Sequence, residues 1–163
     1  MTTICPLPQH TEVKEFIENL LGKPVSVDDG KPVVLSPKRP SVIAPYLLDD
    51  GKVGAIAVCD IEFAACAGGA LTMMPVDIVQ DSIRQSKIPD NILENFKEVL
   101  NVFSGIFNKP DYSHVALSGV LITPLALSRN IVEVIAQPAG RMDFTISIDG
   151  YGSGRLSVLV SSA

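Results

Sequence analysis

The segment Asp90 to Asn108 constrains this chain most, because its apolar residues share one side only if it forms a helix lying on a broad hydrophobic surface. At 3.6 residues per turn, Leu93, Phe96, Val99, Leu100, Phe103 and Phe107 fall in one wide stripe, as a helix packed on a sheet requires. The spacing predicts a helix over Asp90–Asn108 with that stripe in the core. The opposite side carries Glu94, Glu98, Asn101 and Gly105, spaced four, three and four, so they stand in one nearly straight row. Glu98 and Asn101 are neighbours in that row. A carboxylate beside a primary amide, with a small residue one turn further on, offers an acceptor, a donor and room for a partner to approach. Spacing alone also fits a plain solvated face, which is rich in the same residue types.

The rest of the chain frames this helix. Its 163 residues suit one domain over 1–163 with a real core, preceded by a loose tail at 1–10. With 47% hydrophobic and 19% charged residues the chain is globular, not disordered. A net charge of -5 argues against nucleic acid or an anionic membrane as partner. The longest apolar stretch, Phe63 to Met74, is short and broken by Gly68-Gly69, so no transmembrane span is expected. The first residues lack a basic region followed by an apolar run, and a cytoplasmic location is expected. Cys5, Cys59 and Cys66 form no close pair, so neither a zinc site nor a disulfide framework is expected; Cys59 and Cys66 read as small core residues.

Helical spacing of Val13, Phe16, Ile17, Leu20 and Leu21 predicts a first helix over Thr11–Leu21, stopped by Gly22 and Pro24. Two hairpins turning at Asp-Asp-Gly are expected next. One pairs Val25–Val27 with Val33–Leu35; the other pairs Val42–Leu48 with Val53–Val58, with Pro45 implying an edge position. Asp60 can cap a helix running to about Met73, ended by Pro75, and a short helix follows near Asp77–Gln85. Beyond the central helix, strands are expected over Ser113–Ile122, Asn130–Gln137, Met142–Asp149 and Arg155–Ser162, several with one wet face. Gly68-Gly69 inside a helix implies close packing on a neighbour. There is also a faint repeat: Lys14–Glu18 aligns with Lys97–Asn101, with Glu18 where the second copy has its asparagine.

Other chemistry-bearing clusters carry less. Gly150-Tyr151-Gly152-Ser153-Gly154 lacks the lysine of a phosphate loop and precedes a strand, so it reads as a hairpin turn. Asp111, Ser113 and His114 lie too close along one strand entry to form a catalytic relay. His10 falls in the tail.

The run Glu94–Gly105, followed after twenty-two intervening residues by Pro124, resembles the active-site helix of the CheC, CheX and FliY family of chemotaxis phosphatases. That family's signature is Asp or Ser, three residues, Glu, two residues, Asn, twenty-two residues, Pro. Glu98, Asn101 and Pro124 fit it position for position, whereas Glu94 stands where Asp or Ser is usual. The resemblance spans roughly residues 50 to 130, including the strand ending at Cys59, the small-residue helix and Met73-Met74-Pro75. It implies an α+β, pseudo-duplicated fold in which long helices pack on one face of an antiparallel sheet. With only one of two sites retained, the chain is more similar to CheX than to two-site CheC, which implies a possible homodimer formed through a sheet edge.

The activity implied is hydrolysis of the aspartyl phosphate of a CheY-like response regulator in two-component signalling. Asn101 would hold the attacking water and Glu98 would pair with a receiver lysine, while Glu94, Gly105 and Pro124 would belong to the partner-binding surface. No cofactor of its own is implied; Mg²⁺ would arrive with the receiver, and the chain has no carboxylate cluster that demands a metal. Two alternatives stay open: a non-catalytic receiver-binding scaffold of the same fold, as in flagellar switch proteins, and an unrelated α/β binding domain. Burial of the Asn101 amide, or its bonding within its own helix, would favour the latter.

Overall fold

The runs Val42–Leu48 and Val53–Val58 are too continuously apolar to leave a face in water, so strands built from them belong at the centre of a sheet covered on both sides. A computed structural model describes residues 2–124 and 126–163. In it β2 (Ser41–Leu47) and β3 (Val53–Asp60) form an antiparallel hairpin that pairs Ala44 with Ala57. Side chains alternate along β2. Val42, Ala44 and Tyr46 enter the main core, and Ile43 enters a smaller one on the other face.

The full sheet also contains β1 (Val25–Asp29), β4 (Ala116–Leu117), β5 (Leu121–Ile122), β6 (Gly140–Ile148) and β7 (Gly152–Val160). Its order is β1-β6-β7-β3-β2-β4, with β5 also paired to β2, and every pairing is antiparallel. The order is symmetric about the β7–β3 pair. β1, from the first half of the chain, borders the β6–β7 hairpin of the second half; β4 and β5 border the β2–β3 hairpin of the first. Such an exchange of edge strands matches the faint sequence repeat.

The main core lies between the sheet and α1 (His10–Leu21), α2 (Ile61–Leu71), α3 (Val76–Arg84) and α4 (Asp90–Phe103), the last continued by a 3₁₀ turn at Ser104–Ile106. Gly22, in the left-handed region at φ 66°, ends α1. The Asp60 carboxylate accepts the Phe63 N–H at 2.8 Å and caps α2. The glycines of α2 allow close packing, as the sequence implies: a Cβ on Gly68 would lie 2.6 Å from the Ile92 carbonyl oxygen. Gly154 on β7 is tighter still, with room for a Cβ removed by the Phe63 backbone nitrogen at 2.1 Å.

Several expectations are corrected. Asn130–Gln137 is not a strand but lies in α5 (Arg129–Ala136). Val132, Val134 and Ala136 alternate, but Ile131, Val134 and Ile135 at helical spacing are what cover Ile43, Ile56, Val58 and Leu159, and an Arg129–Glu133 ion pair of 2.9 Å supports the helix outside. The sheet is therefore covered on its second face as well, chiefly over β3 and β7, with Ile43 of β2 in the same apolar cluster. Val33–Leu35 forms no strand. Its hairpin is lost because β1 pairs with β6, and the segment is tied down instead by the Val33 N–H donating to Ser157 Oγ at 2.9 Å. The strand expected over Ser113–Ile122 is reduced to the two short pieces β4 and β5.

Pro45 is not on an edge strand. Its carbonyl accepts the Ser118 N–H at 3.1 Å on the outer side of β2, so its missing N–H falls between β4 and β5, where no ladder bond is needed. α2 ends at Leu71, short of Met73, and α4 gives way to the 3₁₀ turn after Phe103 rather than running to Asn108. Nor is the described part of the N-terminal segment loose. The Ile4 N–H donates to the Ser161 carbonyl at 2.9 Å, the Ala163 N–H donates to Thr2 at 3.0 Å, and Cys5 is fully buried. His10 begins α1 and meets Asp29 at 2.7 Å. Cys59 and Cys66 are core residues as read, and burial pushes the Cys66 thiol up to about 12.

Asp60 has a consequence for stability. Burial, assisted by the neighbouring Glu62 charge, pushes its carboxyl up to about 6 from 3.8, although the Arg155 and Phe63 N–H groups favour the ionised form. The folded chain then holds this proton more tightly than the unfolded chain does, so the contribution of Asp60 falls as pH rises from about 4 to about 6. Asp60→Asn keeps an oxygen for the cap and removes the titration. Urea unfolding should show the variant gaining on the wild type across that pH window, whereas a constant difference would contradict the assignment.

Candidate active site

α4 is fixed from below by its stripe. Ile92, Phe96, Val99, Leu100 and Phe103 are all buried, with Phe96 edge-on to Phe63 at 5.5 Å and Phe103 edge-on to Phe16 at 5.4 Å. Leu93, placed in the stripe by spacing, is only half-buried; Ile92 takes the deeper position. The start of α4 is tied to the end of α2, where Asn95 Nδ2 donates to the Gly68 carbonyl at 2.9 Å and to Thr72 Oγ1 at 2.8 Å. Its far end is tied by Asn108, whose amide exchanges two 2.9 Å hydrogen bonds with the Val115 backbone, and by the Lys109–Glu12 ion pair at 2.5 Å.

The row on the outer side is as the spacing predicts. Glu94, Glu98 and Asn101 are exposed on α4, and Gly105 follows, exposed, in the 3₁₀ turn. Glu94 is partly engaged, accepting from Lys97 Nζ at 3.0 Å. Glu98 and the Asn101 side chain make no hydrogen bond or ion pair with any described residue, so a carboxylate and an amide one turn apart are both free to meet a partner. A Cβ on Gly105 would meet nothing within 4 Å, which leaves the approach to Asn101 open from that side. Val102, beside Asn101, is 39% exposed and adds an apolar contact surface.

Pro124 lies outside the helix that carries the row. It is exposed and follows Thr123, which exchanges backbone and side-chain hydrogen bonds of 3.0 and 2.9 Å with Ser41 at the start of β2. Ser41 lies roughly 16 Å along that strand from Tyr46, the residue beneath Leu100. The first-half counterpart of the row is closed. Glu18, aligned with Asn101, accepts the Val25 N–H at 2.9 Å and serves the start of β1.

A cleft of about 550 Å³ lies elsewhere, between the 33–41 segment, the first turn of α2 and the β6–β7 hairpin; no residue of the row lines it. Its Arg39 and Glu62 are paired at 2.6 Å and its Asp60 is occupied as the helix cap. Asp111, Ser113 and His114 are exposed in the loop before β4, and Gly150–Gly154 spans the β6–β7 turn and the start of β7. Among the described residues no group of three or more His, Cys, Asp or Glu side chains is placed to hold a metal, and no helix is long and apolar enough to cross a membrane. Within the row on α4, the Glu98 carboxylate and the Asn101 amide are neither paired with a described residue nor used by the fold.

No protein-family model and no curated protein matches the chain. Solved structures do. A chain of the FliM–SpeE complex from H. pylori is similar with a TM-score of 0.58 at 10% identity, over 93% of this chain and 81% of that one. A chain of the CheX–CheY–BeF3–Mg complex from Borrelia burgdorferi is similar with a TM-score of 0.50 at 14% identity, over 91% and 92%. Thermotoga maritima FliY aligns with a TM-score of 0.45 at 11% identity, over 91% and 81%. The chain therefore has the α+β fold, with a seven-stranded antiparallel sheet, of the matched chains of the FliM–SpeE and CheX–CheY complexes.

Proposed function

We propose that this protein is a CheX-like phosphatase that hydrolyses the aspartyl phosphate of a CheY-like response regulator. The observation that carries the reading is the exposed, unpaired Asn101 amide one turn from the exposed, unpaired Glu98 on a helix clamped at both ends. The fold likeness to a chain of a CheX–CheY complex supports the class of partner.

The chemistry asks little of the protein. A receiver supplies its own divalent cation and slowly hydrolyses itself, so acceleration needs only a better-placed water and better-stabilised charge. An amide orients a water by donating and accepting at once, without bringing negative charge towards the phosphoryl oxygens. Asn101 takes that role. Glu98, on the preceding turn, pairs with a receiver lysine and sets the register of the helix on its partner. Glu94 and Gly105 flank the contact, and Pro124, at the far end of β2, shapes its loop rather than touching phosphate.

The rival reading is a scaffold that binds the receiver without catalysis, and the likeness to a chain of a FliM complex is common to both readings. Loss of phosphate from a purified phosphorylated receiver separates them. Asn101→Ala should lose roughly 30- to 1000-fold of the stimulated rate, and Glu98→Ala should mainly raise KM. Binding that survives Asn101→Ala with no acceleration by the wild type would establish the scaffold instead. Gly105→Ala offers an internal check. It should leave the fold intact or stabilise it by up to about 1 kcal/mol, yet weaken receiver binding by filling the open approach; unchanged binding would place the partner elsewhere.

A further inference from the structure

Tyr46 heads the large side chains that are fully buried in the core. Its ring packs on Phe107 at 5.0 Å, a contact phenylalanine would make equally well. What phenylalanine lacks is the hydroxyl, and a buried hydroxyl is costly unless it has a partner. Tyr46 Oη donates to the Leu100 carbonyl at 2.7 Å. Burial pushes the phenol well above its ordinary range, so it remains a donor at any working pH.

That carbonyl is available for a reason. In a continuing α-helix the Ser104 N–H would take it. Here the helix tightens into the 3₁₀ turn, and the Ser104 N–H turns to the Asn101 carbonyl instead. The Asn101 carbonyl also receives Ser104 Oγ at 2.7 Å. Leu100 C=O and Asn101 C=O belong to the two peptide planes on either side of the Asn101 Cα. One plane is held by a hydroxyl from the core and the other by a hydroxyl from the surface.

We propose that Tyr46 is a positioning residue for Asn101: its hydroxyl, together with that of Ser104, fixes both peptide planes that flank Asn101 and thereby aims the amide. The inference rests on the phosphatase reading and adds to it a residue outside the exposed row. A fixed Cα–Cβ direction matters because a small misplacement of a group that holds a water in line costs rate steeply while leaving docking through Glu98 untouched.

The test uses Tyr46→Phe and Ser104→Ala in the full chain, assayed with a phosphorylated receiver well below each variant's Tm. Tyr46→Phe should lower kcat by about 5- to 20-fold with KM unchanged, and Ser104→Ala should act in the same direction by a smaller factor. Side-chain amide relaxation by NMR supplies a readout that a purely structural role would not move: Asn101 should gain mobility in both variants while Asn91, on the same helix, does not. Wild-type kcat in Tyr46→Phe, or an unchanged Asn101 amide, overturns the positioning role and leaves the phosphatase reading standing. Absence of acceleration by the wild type overturns that reading, and the positioning role falls with it. Tyr46→Phe, which keeps the ring and its packing on Phe107, tests the core hydroxyl, and Ser104→Ala tests the surface one.

Discussion

The candidate site depends on α4 being fixed in the core by its apolar side, so that the other side can be left without partners. Phe96, Val99, Leu100 and Phe103 are buried against α2, α1 and the sheet, and each large side chain of this kind contributes roughly 1.5–3 kcal/mol when withdrawn from water. With the helix secured in that way, Glu98 and Asn101 are not needed for folding. The rest of the architecture serves the same end. β2 and β3 form a floor too apolar to have a wet face, α5 covers the reverse of the sheet chiefly over β3 and β7, and Gly68 lets α2 approach α4 closely enough for Asn95 to tie the two together.

The two halves of the chain show what happens to the row when this division of labour changes. The sheet order is symmetric about β7 and β3, and α1 stands to the first half as α4 stands to the second. On α4 the fifth residue of the aligned pentapeptide, Asn101, is a free amide; on α1 it is Glu18, drawn back to hold the first N–H of β1. A charged carboxylate there is stabilised by the backbone it serves and presents nothing to a partner. One half keeps an exposed polar row whose Glu98 and Asn101 are unpaired among the described residues, and the other has turned the same position into a structural tie.

Much of this was legible in the residues. The stripe and row of α4, the stop at Gly22, the cap at Asp60, the second Asp-Asp-Gly hairpin and the close approach at Gly68 all follow from local rules of spacing and turn chemistry. Where tertiary structure decided, local reading failed. Val132, Val134 and Ala136 alternate as a strand would, yet the reverse face of the sheet, chiefly over β3 and β7, needed Ile131, Val134 and Ile135 as a helix. Asp28 to Gly30 looks like a hairpin turn, but β6, 110 residues and more away in sequence, offered β1 a better ladder. The N-terminal segment looked loose because its partner is the C-terminal strand region, and no local signal announces that. Tyr46 carries no local signal of its role: a buried tyrosine requires an acceptor, but sequence does not say that the acceptor is the carbonyl beside Asn101.

The central claim is that a neutral amide, and not merely a polar side chain of that size, must stand at position 101. Single-turnover release of phosphate from a phosphorylated receiver, with wild type and Asn101→Asp compared at saturating protein, addresses it directly. The substitution keeps the shape and the helix and replaces a group that donates and accepts with one that only accepts and carries charge towards the phosphoryl oxygens. The account predicts that Asn101→Asp folds with the stability of the wild type and loses essentially all stimulation. Stimulation retained in Asn101→Asp at neutral pH would contradict it, and would mean that the row on α4 binds the receiver without placing the water.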